Sequence, residues 1–547
     1  MDRNEAFPIQ TGKHPLLRRL DPVVGDCGLW KSVVVSYVAA MKFLLGLCSL
    51  FLVSVAFAEV TPERVKAAAA ELEKLTITEM SESGIPGIAI AVVYKDQVVF
   101  AKGFGVRVAR QPDAVDPDTV FQLASVSKPV GSTVIAAVVG DGKVSWDSRI
   151  SDLDPGFAMS EPWVTREITV RDFYAHRSGL PDHAGDLLED VGFTRAEVLR
   201  RLRYQTPDSS FRSAYAYTNF GLTEGAVAVA KSLGKEWEDL SEERLYNPLG
   251  MASTSSRHAD FLAHKNRASG HVQVDGQWLP KFQRDPDPQS PAGGVSSSVN
   301  DMAKWLRLQL TGGKFEGTAL VNGAALAETH HPHIVTGFSP LTGLPGFYGL
   351  GWNVSYDTSG RLRLSHSGAF DLGAATAVFL VPSEQLGLVI LTNAAPIGVP
   401  EALGAIFPDH VLHGAPTADW LSVFKDAFAR MREAESAQIA DYSTRPSAPA
   451  PAAPFANYLG AYANDFFGTV KVHEQDGRLS IHVGPNAQSY PLSHWDRDVF
   501  TYPTESETLV GPSGVFFTMG PDGHAIGLTV ENLNRLGEGT FLRQMEP

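Results

Sequence analysis

Between Arg445 and Pro454 the chain reads Arg-Pro-Ser-Ala-Pro-Ala-Pro-Ala-Ala-Pro. Proline has no backbone N–H and a fixed φ, so neither a helix nor an inner strand continues through such a stretch. Residues 441–455 are therefore expected to form an extended, semi-rigid linker. A chain of 547 residues is in any case too long for one ordinary core. The hydrophobic pattern also changes across the linker, which predicts a large domain over 59–440 and a smaller one over 456–547.

Before the linker the pattern is mixed. Ile88-Ala89-Ile90-Ala91-Val92-Val93, the polar turn Lys95-Asp96-Gln97 and Val98-Val99-Phe100 read as a buried hairpin. From Ser125 to Leu306 the chain is mostly helical and loop-rich, and strands return around Leu362–Leu364, Thr376–Leu380 and Leu388–Leu391. A closing helix carries Trp420, Phe424, Phe428 and Met431 on one face. This order suits an α+β domain, an antiparallel sheet flanked by helices. After the linker the period is two. Val470 and Val472 alternate with Lys471, Asp476-Gly477 makes a turn, and Leu479, Ile481 and Val483 alternate with Ser480 and His482. Repeated hairpins as far as Leu542 predict a small antiparallel β-barrel or sandwich.

Three short signatures stand in order in the large domain: Ser125-Val126-Ser127-Lys128, Tyr217-Thr218-Asn219 and His366-Ser367-Gly368. On a helix Ser125 and Lys128 share a face. Lys128 becomes a base for Ser125 only if burial lowers its pKa from about 10.4. Tyr217 beside an ammonium would have an accessible phenolate, relay the Ser125 proton to a leaving group and then activate water. Asn219 offers a donor and an acceptor, suited to gripping Lys128 and a substrate amide. His366, partly charged at neutral pH, is expected to hold a substrate carboxylate or carbonyl, and Gly368 to let the substrate approach the strand edge. This is the equipment of catalysis through an acyl-enzyme.

Each pattern recurs by chance, at Ser232/Lys235, Ser422/Lys425, Tyr462/Asn464, His183/Gly185 and His482/Gly484. Order and flanks single out the first set. Ser125 follows Phe121-Gln122-Leu123-Ala124 and precedes the apolar helical positions Val130, Val134, Ile135, Val138 and Val139. Glu328, His330, His331 and His333 are read as a solvated loop rather than a metal site, and His176 as a structural histidine. No metal and no cofactor is expected.

Further phrases accompany the signatures: His176-Arg177-Ser178-Gly179-Leu180-Pro181, Pro291-Ala292-Gly293-Gly294-Val295, Tyr348-Gly349-Leu350-Gly351-Trp352, and Asn393 after Leu388-Val389-Ile390-Leu391. With them, roughly residues 62–440 resemble the serine β-lactamase and penicillin-binding-protein superfamily. The nearest branch is that of class C β-lactamases, family VIII esterases and D-aminopeptidases. The resemblance implies a β-lactamase/transpeptidase-like fold, with the site between the sheet and an all-helical lobe. It also implies an oxyanion hole from the backbone N–H groups of Ser125 and Ala369, worth ~3 kcal/mol per donor. The C-terminal β domain resembles those attached to some members. Class C enzymes carry Lys where His366 stands, whereas histidine occurs among the peptidase and esterase relatives. The expected substrate is a β-lactam, with a short-chain ester or a D-amino-acid peptide as alternatives and an inactive cell-wall-binding protein as a remote one.

The net charge of −15, with no Lys/Arg stripe, gives no reason to expect nucleic acid as a partner. Met41-Lys42, the apolar run Phe43–Val55 and Ala56-Phe57-Ala58 read as a secretory signal over 41–58, cleaved before Glu59. Residues 1–40 are then an over-extended start, and the protein is expected in the periplasm or outside the cell. It would meet a membrane only if the signal stays uncleaved. Val33–Ala58 is long enough to span, but Lys42 in its middle argues against an anchor. Cys27 and Cys48 both precede Ala58, so a chain starting at Glu59 has no disulfide and no cysteine chemistry.

Overall fold

The computed structural model describes residues 59–339, 342–486, 488–504, 507 and 511–545. The expected signal, the residues before it and both cysteines lie outside the described residues. No helix among the described residues is long and apolar enough to cross a membrane.

The first sheet has eight antiparallel strands: β1 (Gly87–Tyr94), β2 (Gln97–Gly105), β3 (Ile334–Phe338), β4 (Pro345–Tyr348), β5 (Asn353–Tyr356), β6 (Leu362–Phe370), β7 (Ala374–Val381) and β8 (Leu386–Thr392). Their order is β2-β1-β8-β7-β6-β5-β4-β3. The helices that matter for the site are α1 (Pro62–Ser83), α2 (Ser127–Gly140), α3 (Asn219–Ser232), α4 (Val299–Leu310), α5 (Val399–His413) and α6 (Trp420–Ser436).

Alternation along β1 explains the layering. Ile88, Ile90 and Val92 point into one core with Leu72 of α1 and Leu403 and Phe407 of α5. Ala89, Ala91 and Val93 point into the other, with Met302 and Leu306 of α4. Strand side chains change face at every residue, so one run serves both layers, and the small alanines leave room for α4. The strands were visible as apolar runs, apart from β3 to β5. Helix α5 gave no clear signal because it contains Pro408, which ordinarily breaks a helix. Helix α6 packs on α5 with no fully buried residue, and Met431 is 54% exposed.

The Pro/Ala stretch is not a free spacer. Its Ala450 N–H donates to Asp496 Oδ1 at 2.6 Å, and the Ala453 N–H donates to the Tyr458 hydroxyl at 2.8 Å. It is laid along the second sheet, nine antiparallel strands: β9 (Gly460–Asn464), β10 (Gly468–Gln475), β11 (Arg478–Val483), β12 (Gln488–Pro491), β13 (Ser493–Asp496), β14 (Val499–Pro503), β15 (Pro512–Met519), β16 (Ala525–Val530) and β17 (Thr540–Arg543). The order β12-β11-β10-β9-β17-β16-β15-β14-β13 brings β12 back near β14, giving a nearly closed barrel. Tyr462, Val470, Ile481, Phe500 and Phe541 fill it. Arg201 of the helical region ties this barrel down, donating to the carbonyls of Asp465 at 2.9 Å and Phe466 at 2.7 Å.

Candidate active site

Ser125 sits in the turn that opens α2. Its predecessor Ala124 has φ +47°, a left-handed value that a β-carbon resists. The turn is braced by the Pro291–Val295 segment: the Leu123 N–H donates to Val295 O at 2.8 Å, and the Val295 N–H to Ser127 Oγ at 2.9 Å. From the other side β6 presses on it. A β-carbon on Gly368 would lie 2.2 Å from Leu123 O, 2.4 Å from Thr376 Oγ1 and 2.9 Å from Ser125 N. The glycine thus admits the nucleophile turn to the strand, where the sequence suggested clearance for substrate. Gly368→Ala is expected to lower kcat at least about 100-fold by misplacing Ser125 and to cost about 1–3 kcal/mol of stability. Steady-state kinetics alongside thermal melts check this, and wild-type turnover would refute the close approach.

Pairing of β5 with β6 ends at Asn353↔Ser365, so His366–Phe370 is held by β7 alone among the described residues. An open edge therefore runs beside Ser125, with Ala369 exposed on it. Behind the edge the buried Glu401 of α5 bonds the Ser367 hydroxyl; burial pushes this carboxyl up to about 7.

Lys128, fully buried, has its Nζ 3.0 Å from Ser125 Oγ, 2.7 Å from Asn219 Oδ1 and 3.1 Å from Ala292 O. Burial pushes it down to about 7, against the opposing field of Asp186. Asn219, the first residue of α3, is itself oriented, its Nδ2 donating to Asp186 Oδ2 at 2.8 Å. The same carboxylate oxygen lies 2.8 Å from His183 Nδ1. Asp186 and the carbonyl of Ala292 carry no signal in the sequence pattern. Asp186 reaches Asn219 across 33 residues, and a backbone acceptor has no side chain to read.

Tyr217 is fixed through its backbone: its N–H donates to Asp182 Oδ1 at 2.6 Å and its carbonyl accepts from the His183 N–H at 2.7 Å. Its ring centroid is 4.4 Å from Lys128 Nζ and 4.6 Å from the His176 ring. Burial raises its pKa well above the ordinary value, and the hydrogen bond with Ser125 offsets this only in part. At neutral pH Tyr217 is a protonated phenol, not the accessible phenolate expected beside an ammonium.

His366 also differs from expectation. It is buried, with Nε2 2.8 Å from the Tyr348 hydroxyl and Nδ1 2.7 Å from Ser367 O. In the neutral ring Nδ1–H donates to that carbonyl and Nε2 accepts from Tyr348. Burial, then the Lys128 charge, push it down to about 3. It is a neutral wall of the site and carries no charge for a substrate carboxylate. His176 lies beneath, its Nδ1 accepting from the Thr218 N–H at 3.1 Å.

The other pattern matches are occupied elsewhere. Ser232 Oγ donates to Val229 O at 2.7 Å, Ser422 Oγ donates at 2.7 Å to Asp419, the residue that caps α6, and Tyr462 and His482 belong to the barrel. The Glu328 group is only partly solvated. Glu328 pairs with Arg171, His330 Nε2 faces Gln309 Oε1 at 3.0 Å, and His331 is exposed. No three His, Cys, Asp or Glu among the described residues are grouped to hold a metal ion.

A family model described as Beta-lactamase matches residues 72–408, and one described as Domain of unknown function (DUF3471) matches residues 444–542. The chain is similar to the unguisins hydrolase ungD' of Aspergillus campestris, 28% identical over 476 residues, covering 80% of this chain and 85% of that protein. It is also similar to penicillin-binding protein 4 of Amycolatopsis lactamdurans, 27% identical over 327 residues, 57% of this chain and 82% of that one. Among solved structures, the octameric penicillin-binding protein homologue from Pyrococcus abyssi shares the fold. Its TM-score is 0.56 at 19% identity, over 87% of this chain and 100% of that one.

Proposed function

We propose, on the premise that the chain belongs to the Beta-lactamase family, that this serine hydrolase cleaves amide bonds of peptide-type substrates through an acyl-enzyme on Ser125. The observation that carries the reading is the setting of Lys128. A neutral amine has two N–H groups and one lone pair. Asn219 Oδ1 and Ala292 O take the two hydrogens, so the lone pair faces Ser125 Oγ 3.0 Å away.

In this mechanism Ser125 Oγ attacks the substrate carbonyl as its proton passes to Lys128 Nζ. The backbone N–H groups of Ser125 and Ala369 take the developing oxyanion. Tyr217, protonated and bonded to Ser125, gives its proton to the leaving nitrogen and recovers one from the Lys128 ammonium side of the site. Water then enters the vacated position, is deprotonated by the same groups and releases the acid.

The neutral His366 bears on substrate class. An anionic β-lactam, the first expectation from sequence, finds no cation there, whereas an uncharged amide or ester loses nothing. The similar unguisins hydrolase, 85% of which the match covers, is named a hydrolase, which supports hydrolase chemistry for this chain. A panel of a D-alanyl amide, a short p-nitrophenyl ester and a chromogenic cephalosporin tests this. The amide and ester are expected to turn over with kcat/KM about 100-fold above the cephalosporin. His366→Lys should raise cephalosporin turnover and leave the ester unchanged; a panel led by the cephalosporin would return the protein to the β-lactamases. We further propose export through the signal at 41–58. N-terminal sequencing of the native protein should begin at Glu59, and a mature chain retaining Met1 would overturn this.

A further inference from the structure

The helical region holds a second cavity of about 690 Å³, lined by none of Ser125, Lys128, Tyr217, Asn219 or His366. Phe157, Leu199, Val227, Ala230 and Trp237 supply an apolar wall. Into this wall α3 places Glu224, only 1% exposed, whose Oε1 has no hydrogen-bond partner among the described residues. The indole Nε1 of Trp237, equally buried, is likewise without one.

A buried carboxyl without a partner is costly. Its neighbours Leu222, Ala226, Val227 and Ala228 on α3 are apolar and buried, so an apolar residue at position 224 would avoid that cost. The carboxyl calls for a partner from outside. It does not come from the rim, where Arg195, Lys231 and Lys235 are each already held by a carboxylate, from Glu238, Asp154 and Glu243, and where the fourth cation, Arg200, is exposed. Glu236, Asp285 and Asp287 add further negative groups around the opening. The complementary ligand is a cation that brings its own apolar body.

We propose that this cavity binds a small molecule carrying a primary ammonium on an apolar body, the ammonium on Glu224 and the body against Trp237. Burial holds the Glu224 carboxyl well above its usual range, reinforced by Asp154 and opposed by Lys231. The carboxyl therefore keeps its proton to higher pH than a free glutamate does. Pairing with an ammonium ionises the carboxyl, so binding releases a proton.

The test uses the full chain and benzylamine hydrochloride, titrated calorimetrically at pH 7 in two buffers of different ionisation enthalpy. One saturable site is expected, with net proton release on binding. Glu224→Gln should weaken binding at least tenfold and abolish the release, while phenylacetate, of the same shape and opposite charge, should bind more weakly than benzylamine. Absence of saturable binding, binding without proton release, equal affinity in Glu224→Gln, or preference for phenylacetate would each overturn the proposal. Should Glu224→Gln fail to fold, the proton count on the wild-type protein decides alone.

Discussion

Ser125→Ala is expected to lower kcat by about 10⁴–10⁶-fold with a folded protein remaining, because no other group can form the acyl-enzyme. The side chain is small and half-buried in the turn before α2, so its loss empties little space. The same assignment predicts where a fluorophosphonate attaches. Intact mass should rise by a single adduct, and peptide mapping should place it on Ser125. Ser232 and Ser422 should stay clean, since their hydroxyls are spent on Val229 O and Asp419 Oδ2. An adduct on either, with Ser125 unmodified, would sink the nucleophile assignment.

Lys128 should set the pH dependence. A lysine is a base only when deprotonated, and burial places this one at about 7. The sign follows directly: below pH 7 the ammonium form dominates and kcat/KM falls about tenfold per pH unit, whereas above it the rate levels off. Tyr217, raised well above its ordinary value by burial, stays protonated across that plateau. His366, pushed down to about 3, contributes no inflection between pH 5 and 8. Lys128→Met should remove the base and cost about 10³–10⁴-fold in kcat. Lys128→Arg should do no better, since a guanidinium stays charged. A profile whose rising limb has its midpoint near 10, the ordinary lysine range, would show that Lys128 is not the base.

Much of this was legible in the residues themselves. The order of Ser125/Lys128, Tyr217/Asn219 and His366/Gly368 marked the groups that the fold brings around one point. Local rules sufficed because the Ser-x-x-Lys pair lies within a single helical turn, and because the apolar runs of β1, β6, β7 and β8 need only the two-residue period of a strand. The alternating pattern after the Pro/Ala stretch marked the barrel for the same reason.

What depended on through-space neighbours was not legible. The neutrality of His366 comes from exclusion of water and then from the charge of Lys128, which another part of the chain brings near. The low pKa of Lys128 comes from burial, and the groups that enclose it include Asn219 and the carbonyl of Ala292, which are 91 and 164 residues away. Gly368 was recognisable as a glycine that matters, yet the atoms that demand it belong to Leu123, Ser125 and Thr376. The sequence by itself determined which chemical groups the protein owns and which of them share a turn or a strand. Only the tertiary structure decided which are protonated, because a pKa depends on desolvation and on partners that distant parts of the chain bring within hydrogen-bond reach.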